Sequence, residues 1–317
     1  MGLECLSIGL LVADHLCTPI PRLPKPGELL FCDELPLSVG GCAANVALDL
    51  ARLGVDVGLV GCVGRDPFGR YLVETLTTSG VDTSGVTALE NVGTAASLII
   101  NVTGEDRRFI HAIGANAHLT TEYVPIDRVR AAKVVYVGGY LLMPNLNAHG
   151  ELTKLFREAR QSGAITVLDV VLGPGEFWPR LAELLAETDA FLPNEDEAAA
   201  ITGLSDPLAQ AKRFRAAGAK TVVITCGGAG TLLVSDRGTW RAGVYPTKFV
   251  GATGAGDAFD AGYITGLLLG EDELGCLRWG SALGASCVRS ISATDSVFTR
   301  QEALHFMQQN ALTISRI

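Results

Sequence analysis

The chain has 317 residues, 48% hydrophobic and 19% charged, so it holds enough apolar surface to offset the entropy of ordering a sizeable core, which excludes global disorder. Its formal net charge of -9, with no Lys/Arg run to overcome it locally, opposes a phosphate backbone and argues against a nucleic-acid partner. No segment reaches the roughly 20 apolar residues of a bilayer span, and eight scattered cysteines without a C-x-x-C pair read as reduced, mostly buried thiols of a cytoplasmic protein.

Met1 to Leu11 reads as a first core strand: Glu4 stands where a signal peptide would be basic, and the apolar stretch ends at Asp14. Residues 16–39 follow, with four prolines between 19 and 26. Val46, Ala47, Leu50 and Leu53 then line one helical face, Gly54 ends that helix, and 55–63 is a strand. Residues 92–112 alternate Ser97, Ile99 and Asn101, later Arg108 and Ile110, around a turn at Thr103-Gly104-Glu105-Asp106. From about Lys133 strands and helices alternate: 133–137, 150–162, 165–169, 180–187, 189–192, 206–217 and 221–225. Continuous apolar strands separated by helices imply an α/β fold with a mostly parallel sheet flanked by helices. The two irregular stretches, with their flanks about 13–39 and 92–113, suit a small β-sheet lid over a ligand cleft, within a single domain spanning 1–317.

The most informative segment is Gly251-Ala252-Thr253-Gly254-Ala255-Gly256-Asp257-Ala258-Phe259, which opens an apolar helix running through Leu269 to Gly270. The amides of Gly254, Ala255 and Gly256, together with the helix dipole, suit an anion such as phosphate. Asp257 beside them is placed to take a proton from an attacking hydroxyl as charge builds on a transferring phosphoryl group. A capped helix with an acid in its first turn has the same local pattern.

With its flanks this loop resembles the second signature of the ribokinase-like (PfkB) carbohydrate kinases. Three further matches stand in the family's order. They are Gly40-Gly41-Cys42-Ala43-Ala44-Asn45-Val46-Ala47, continued by Leu53-Gly54 and Gly61-Cys62-Val63-Gly64-Arg65-Asp66-Pro67-Phe68-Gly69; then Pro193-Asn194-Glu195-Asp196-Glu197; then Thr225-Cys226-Gly227-Gly228-Ala229-Gly230. The resemblance implies a Rossmann-like core with a β lid, and phosphoryl transfer from ATP with Mg2+ to a hydroxymethyl group of a small sugar. By position, Asp257 would be the general base and Gly254, Ala255 and Gly256 the anion hole. Asp14 would grip sugar hydroxyls, with Gly41 and Asn45 nearby, and Arg107 and Asn116 would contact substrate where lid and core meet. Asn194, Thr225, Gly227 and Gly230 would border the nucleotide, and Glu197, three positions from Asn194 on one helical face, would hold Mg2+ through water. The same Asn and acids also read as an N-capped acidic helix start.

Two departures matter. Gly251-Ala252 replaces the Asp-Thr of many relatives, removing a carboxylate that helps hold a monovalent cation, so potassium stays open. Gly138-Gly139-Tyr140-Leu141-Leu142 lacks the glutamate that ribokinases carry there, which weakens ribose as the substrate. A nucleoside kinase of the same superfamily is the nearest alternative, and a non-catalytic sugar or nucleotide sensor the next. A homodimer through the lid would cover strand edges.

Overall fold

The computed structural model describes residues 2–105 and 107–317, so Met1 and Asp106 of the predicted first strand and turn lie outside the described residues. The first half of the chain forms β1 (Cys5–Gly9), β2 (Val12–Ile20), β3 (Leu37–Gly40), α1 (Cys42–Arg52), β4 (Val57–Gly64), α2 (Pro67–Thr78), β5 (Asp82–Leu89), β6 (Ala96–Val102), β7 (Arg108–Ala112) and α3 (Ile126–Ala131). The alternating half follows with β8 (Val134–Gly138), α4 (Glu151–Gln161), β9 (Ile165–Leu168), α5 (Trp178–Leu185), β10 (Ala190–Phe191), α6 (Glu195–Thr202), α7 (Pro207–Ala216) and β11 (Thr221–Thr225). The chain closes with β12 (Thr231–Ser235), β13 (Gly238–Ala242), α8 (Ala255–Leu268), α9 (Glu273–Cys287), α10 (Arg300–Gln309) and β14 (Ile314–Arg316).

The strand at 221–225 falls where its apolar run predicts. The predicted strand at 189–192 is reduced to two residues, and the helix at 180–187 begins two residues earlier, because Pro179 fits the first helical turn, where no amide donor is needed. Leu152, Leu155, Phe156 and Ala159 are all buried, as the helical stripe requires.

A ten-stranded sheet runs β14-β13-β12-β11-β10-β9-β8-β1-β4-β5. It is parallel from β11 to β5 and antiparallel from β11 to β14. From β1 the chain builds outward to β4 and β5, then returns to the other side of β1 to lay down β8 to β11. The direction of winding therefore reverses between β1 and β8, and at such a point the loops beyond the strands part to leave a crevice. A separate four-stranded sheet, β3-β2-β6-β7, stands where the irregular stretches were predicted to form one. Its strand β7 is exposed along its whole length.

Helix α8 is buried on almost every side, between α1 and α9. Its axis is brought against α9 by Gly262, where any side chain would collide with the Trp279 carbonyl. That close approach fixes where the first turn of α8 points. Gly262→Ala is expected to cost about 1–3 kcal/mol of stability through overpacking, read as a lower Tm; an unchanged Tm would mean the helices separate freely.

Candidate active site

The first turns of two helices meet at the crevice. Gly41 caps α1 at φ 91, a conformation that favours glycine, and its carbonyl accepts from the Asn45 amide at 2.9 Å. Gly254 caps α8 at φ 77, and a Cβ there would lie 2.6 Å from Ala293. Asn45 Nδ2 donates to Asp257 Oδ2 at 2.8 Å, while Asn45 Oδ1 is buried with no partner among the described residues. Asp257 is thus gripped on one oxygen.

The amides beside Asp257 divide into two kinds. That of Ala255 is spent on a turn, donating to the Ala252 carbonyl at 3.2 Å, which corrects its expected place in an anion hole. Those of Gly254, Gly256 and Asp257 have no partner among the described residues. A Cβ on Gly256 would meet open space, so the fold does not demand glycine there and the gap faces the cleft.

Asp14 lies on β2 in a polar row across the small sheet, with Ser38, Ser97 and His111 at successive ladder positions. Ser97 Oγ is 3.0 Å from His111 Nδ1. Gly40 leaves room for the Asp14 carboxylate, which any side chain at 40 would strike. Burial pushes Asp14 up to about 6, the Ser97 hydrogen bond opposes this, and repulsion from Asp257 adds to it.

Asn194 and Glu197 form a reciprocal capping box, each side chain accepting from the other's amide at 2.9 Å. The capped-helix reading therefore holds, and Glu197 also stands close enough to Asp257 to feel its charge. Burial pushes it up to about 7, the bonds with Asn194 work against that, and Asp257 adds repulsion. Thr225 ends β11, where its amide donates to the Pro193 carbonyl at 3.1 Å, and Gly227 and Gly230 turn the chain into β12. These residues line the sheet edge next to Asn194, which bridges Thr225.

Two residues singled out in the sequence stand elsewhere or make other contacts. Asn116 is fully buried, accepting from the Leu11 amide at 3.2 Å and donating to the Leu11 carbonyl at 3.0 Å, so it holds a chain crossing and does not face the cleft. Arg107 lies over the Phe109 ring, 5.5 Å from its centroid, and its charge is felt at Cys287, whose thiol donates to the Thr253 carbonyl before α8.

Asp169 and Cys42 were missed as site residues. Asp169 follows β9, accepts from the Gly139 amide at 3.1 Å, and is raised well above the carboxylate range by burial and then by Glu197 and Asp257. Ligand atoms of Cys42, Asp169 and Asp257 all lie within 4.8 Å of one another. Asp260, one turn beyond Asp257, accepts from the Tyr136 hydroxyl at 3.0 Å. An acid closing an apolar parallel strand was the available signal for Asp169, since such strand ends carry ligands. The carboxylate oxygens of Asp169, Glu197 and Asp257 suit a hard cation such as Mg2+, whereas the Cys42 thiol, raised by burial and by Asp257, stays protonated and does not compete.

A family model described as pfkB family carbohydrate kinase matches residues 4–300. A ribokinase of Haemophilus influenzae is 30% identical over 307 residues, 95% of this chain and 97% of its own. A 5-dehydro-2-deoxygluconokinase of Clostridium perfringens is 29% identical over 287 residues, 86% of this chain and 84% of its own. The solved structure of an Arabidopsis thaliana ribokinase complexed with ribose and ATP matches with a TM-score of 0.83 at 24% identity, over 97% of this chain and 99% of that one. The fold is thus the ribokinase-like α/β fold with its smaller separate sheet. No helix among the described residues is long and apolar enough to cross a membrane.

The crowded acids predict a pH dependence. Asp14 and Glu197 bind protons more tightly folded, at about 6 and about 7, than unfolded. Above about pH 4.5 the folded state therefore holds more protons, and stability falls as pH rises through that window. His111, lowered by burial, acts in the opposite sense, one group against several. Carboxylates lowered by their partners, such as Glu28, act only at lower pH. The ligand-free Tm is expected to fall between about pH 5 and about pH 8, and Mg2+ with ATP to raise it more at the higher pH. A Tm that climbs across this range would contradict the electrostatic picture.

Proposed function

We propose, because this chain belongs to the pfkB family of carbohydrate kinases, that it transfers the γ-phosphoryl group of ATP to a hydroxymethyl group of a small sugar or sugar derivative, with Asp257 as general base. The observation that carries the reading is a partly buried carboxylate in the first turn of α8, held on one oxygen by Asn45 and flanked by amides that have no partner among the described residues. In the reaction the acceptor oxygen forms a bond to γ-phosphorus while the bond to the β-phosphate oxygen breaks. The acceptor's proton passes to Asp257, and ADP leaves.

Asp14 orients the acceptor by accepting from its hydroxyls, with Gly41 and Asn45 beside it. The amides of Gly254, Gly256 and Asp257 receive the negative charge that grows on the transferring group. Thr225, Gly227, Gly230 and Asn194 border the nucleotide along the sheet edge. Asp169 and Glu197 would hold Mg2+ through water, and that ion, when bound, supplies neutralising charge at the phosphates. The small sheet acts as the lid that excludes water and so suppresses ATP hydrolysis. Phe109 and Ile110 on β7, and Leu29 and Phe31 in the loop between β2 and β3, stay exposed, and a homodimer through the lid would cover them; a monomer by light scattering at working concentration would end that idea.

The first experiment is an ADP-release screen over neutral sugars, sugar acids, sugar phosphates and nucleosides, with and without potassium. Sugar acids belong in it because the clostridial relative is a 5-dehydro-2-deoxygluconokinase. The potassium arm reads the effect of Gly251. Asp257→Asn is expected to lower kcat at least about 10²-fold with ATP binding retained; near-normal turnover would refute the base. Asp14→Ala is expected mainly to raise the acceptor KM. In the wild type that KM should rise below about pH 6, where the Asp14 carboxylate takes up its proton. An acceptor KM indifferent to both changes would remove Asp14 from the site.

A further inference from the structure

The segment Gly61 to Gly69, prominent in the sequence, has no part in the transfer described above. It builds a hydrogen-bonded node where the chain passes from the large sheet to the small one. Asp66 caps α2, accepting from the Gly69 amide at 2.8 Å, but that bond accounts for only part of its carboxylate. The same side chain accepts from the Thr94 amide and the Thr94 hydroxyl, each at 2.7 Å. Thr94 Oγ1 in turn accepts from the Gly64 amide at 2.9 Å.

The surrounding space is tight. A Cβ on Gly64 would lie 2.6 Å from the Thr94 nitrogen, and one on Gly114 would lie 2.5 Å from the Gly93 carbonyl oxygen. The segment 93–95 leading into β6 is bonded further, with the Ala115 amide donating to the Gly93 carbonyl and the Ala13 amide to the Ala95 carbonyl, both at 2.9 Å. These contacts outweigh burial and hold the Asp66 carboxyl below the usual range, so it is ionised at neutral pH.

A second clamp has the same arrangement. Asn116 holds both backbone groups of Leu11 at the neighbouring crossing. Leu11 lies three residues before Asp14, and Thr94 lies three residues before Ser97. Asp14 and Ser97 are paired in the ladder of the small sheet. Each clamp therefore fixes the chain one short step upstream of the polar row that faces the acceptor.

We infer that Asp66, acting through Thr94, and Asn116, acting through Leu11, are positioning residues for the phosphoryl transfer, fixing strands β6 and β2 so that Ser97 and Asp14 stand over the anion cradle. The catalytic consequence rests on the kinase reading, whereas the clamp itself does not. If Asp66 were only a helix cap, removing the Thr94 hydroxyl would leave its bond to Gly69 intact and the small sheet undisturbed.

The test compares Thr94→Val, which keeps shape and loses the hydroxyl, with Thr94→Ser, which keeps the hydroxyl. In the full-length protein, hydrogen exchange of peptides covering 12–20 and 96–102 is expected to quicken at least about tenfold in Thr94→Val, with 165–168 unchanged. With the best acceptor found in the ADP-release screen, acceptor KM should rise about tenfold while the ATP KM stays within about twofold. Thr94→Ser should remain within about threefold of wild type on both measures. Should Thr94→Val not fold, Asp66→Asn is read in the same way. Wild-type exchange in the small sheet, or acceptor and ATP KM rising together, would overturn the inference. A wild-type protein that releases no ADP with any acceptor would sink the kinase reading instead, and exchange alone would then judge the clamp.

Discussion

A single hydrogen bond 2.8 Å long, from Asn45 to Asp257, joins residues 212 positions apart and ties the first turn of α1 to the first turn of α8. Both helices start at the carboxyl edge of the large sheet, beside the strands where its winding reverses. Their positive ends converge there, and amides that have no partner among the described residues become neighbours of a carboxylate by architecture. Gly41 and Gly254 allow this, since each caps its helix in a conformation costly for other residues. The close packing of α8 on α9 then keeps the cradle from swinging away.

The same convergence creates a cost. Asp14, Asp169, Glu197, Asp257 and Asp260 are crowded together, and each has its carboxyl raised by burial, with like charge adding to the shift for all but Asp257. No Lys or Arg of the described residues is paired with any of them. The cations that form ion pairs instead brace surface positions such as Glu187 and Asp189. Such an arrangement sacrifices stability at a functional site. It makes physical sense where a hard cation and a polyol enter to share the charge, and it would be hard to rationalise in a binding module for neutral apolar ligands.

What the sequence made legible was whatever is local. The small residues before Asp257 and the apolar run at 221–225 each carry their meaning within one turn or strand. Asp169 was half legible, as an acid closing an apolar strand, but its contacts arise only when β8, β9 and α8 come together, and nothing in Leu168-Asp169-Val170 announces a neighbour at Gly139 or Asp257. Ala255 sits inside a recognisable loop, yet which amides face outward is decided by a turn back to Ala252, a matter of dihedral angles that residue type alone does not set. At Asn194 and Glu197 the two readings do not exclude each other. A capping box uses one Glu197 oxygen and leaves the other outside it.

Asn116 shows how a motif's neighbourhood can mislead. It follows the small-sheet strand that carries His111, so proximity in sequence suggested a substrate contact, but its amide is matched atom for atom to the backbone of Leu11, 105 positions away. A buried side-chain amide that satisfies a main-chain N–H and C=O together does the work of a missing strand partner. Leu11 needs one because the chain leaves β1 there to cross into the other sheet, where no ladder is available to either group. Thr94 is in the same position on the other crossing and recruits Asp66. Polar residues near these crossings therefore divide by the bonding state of the nearby backbone: where a crossing strands main-chain groups, the side chain is drawn to them, whereas on the ladder at Asp14 and Ser97 those groups are already paired and make no such demand.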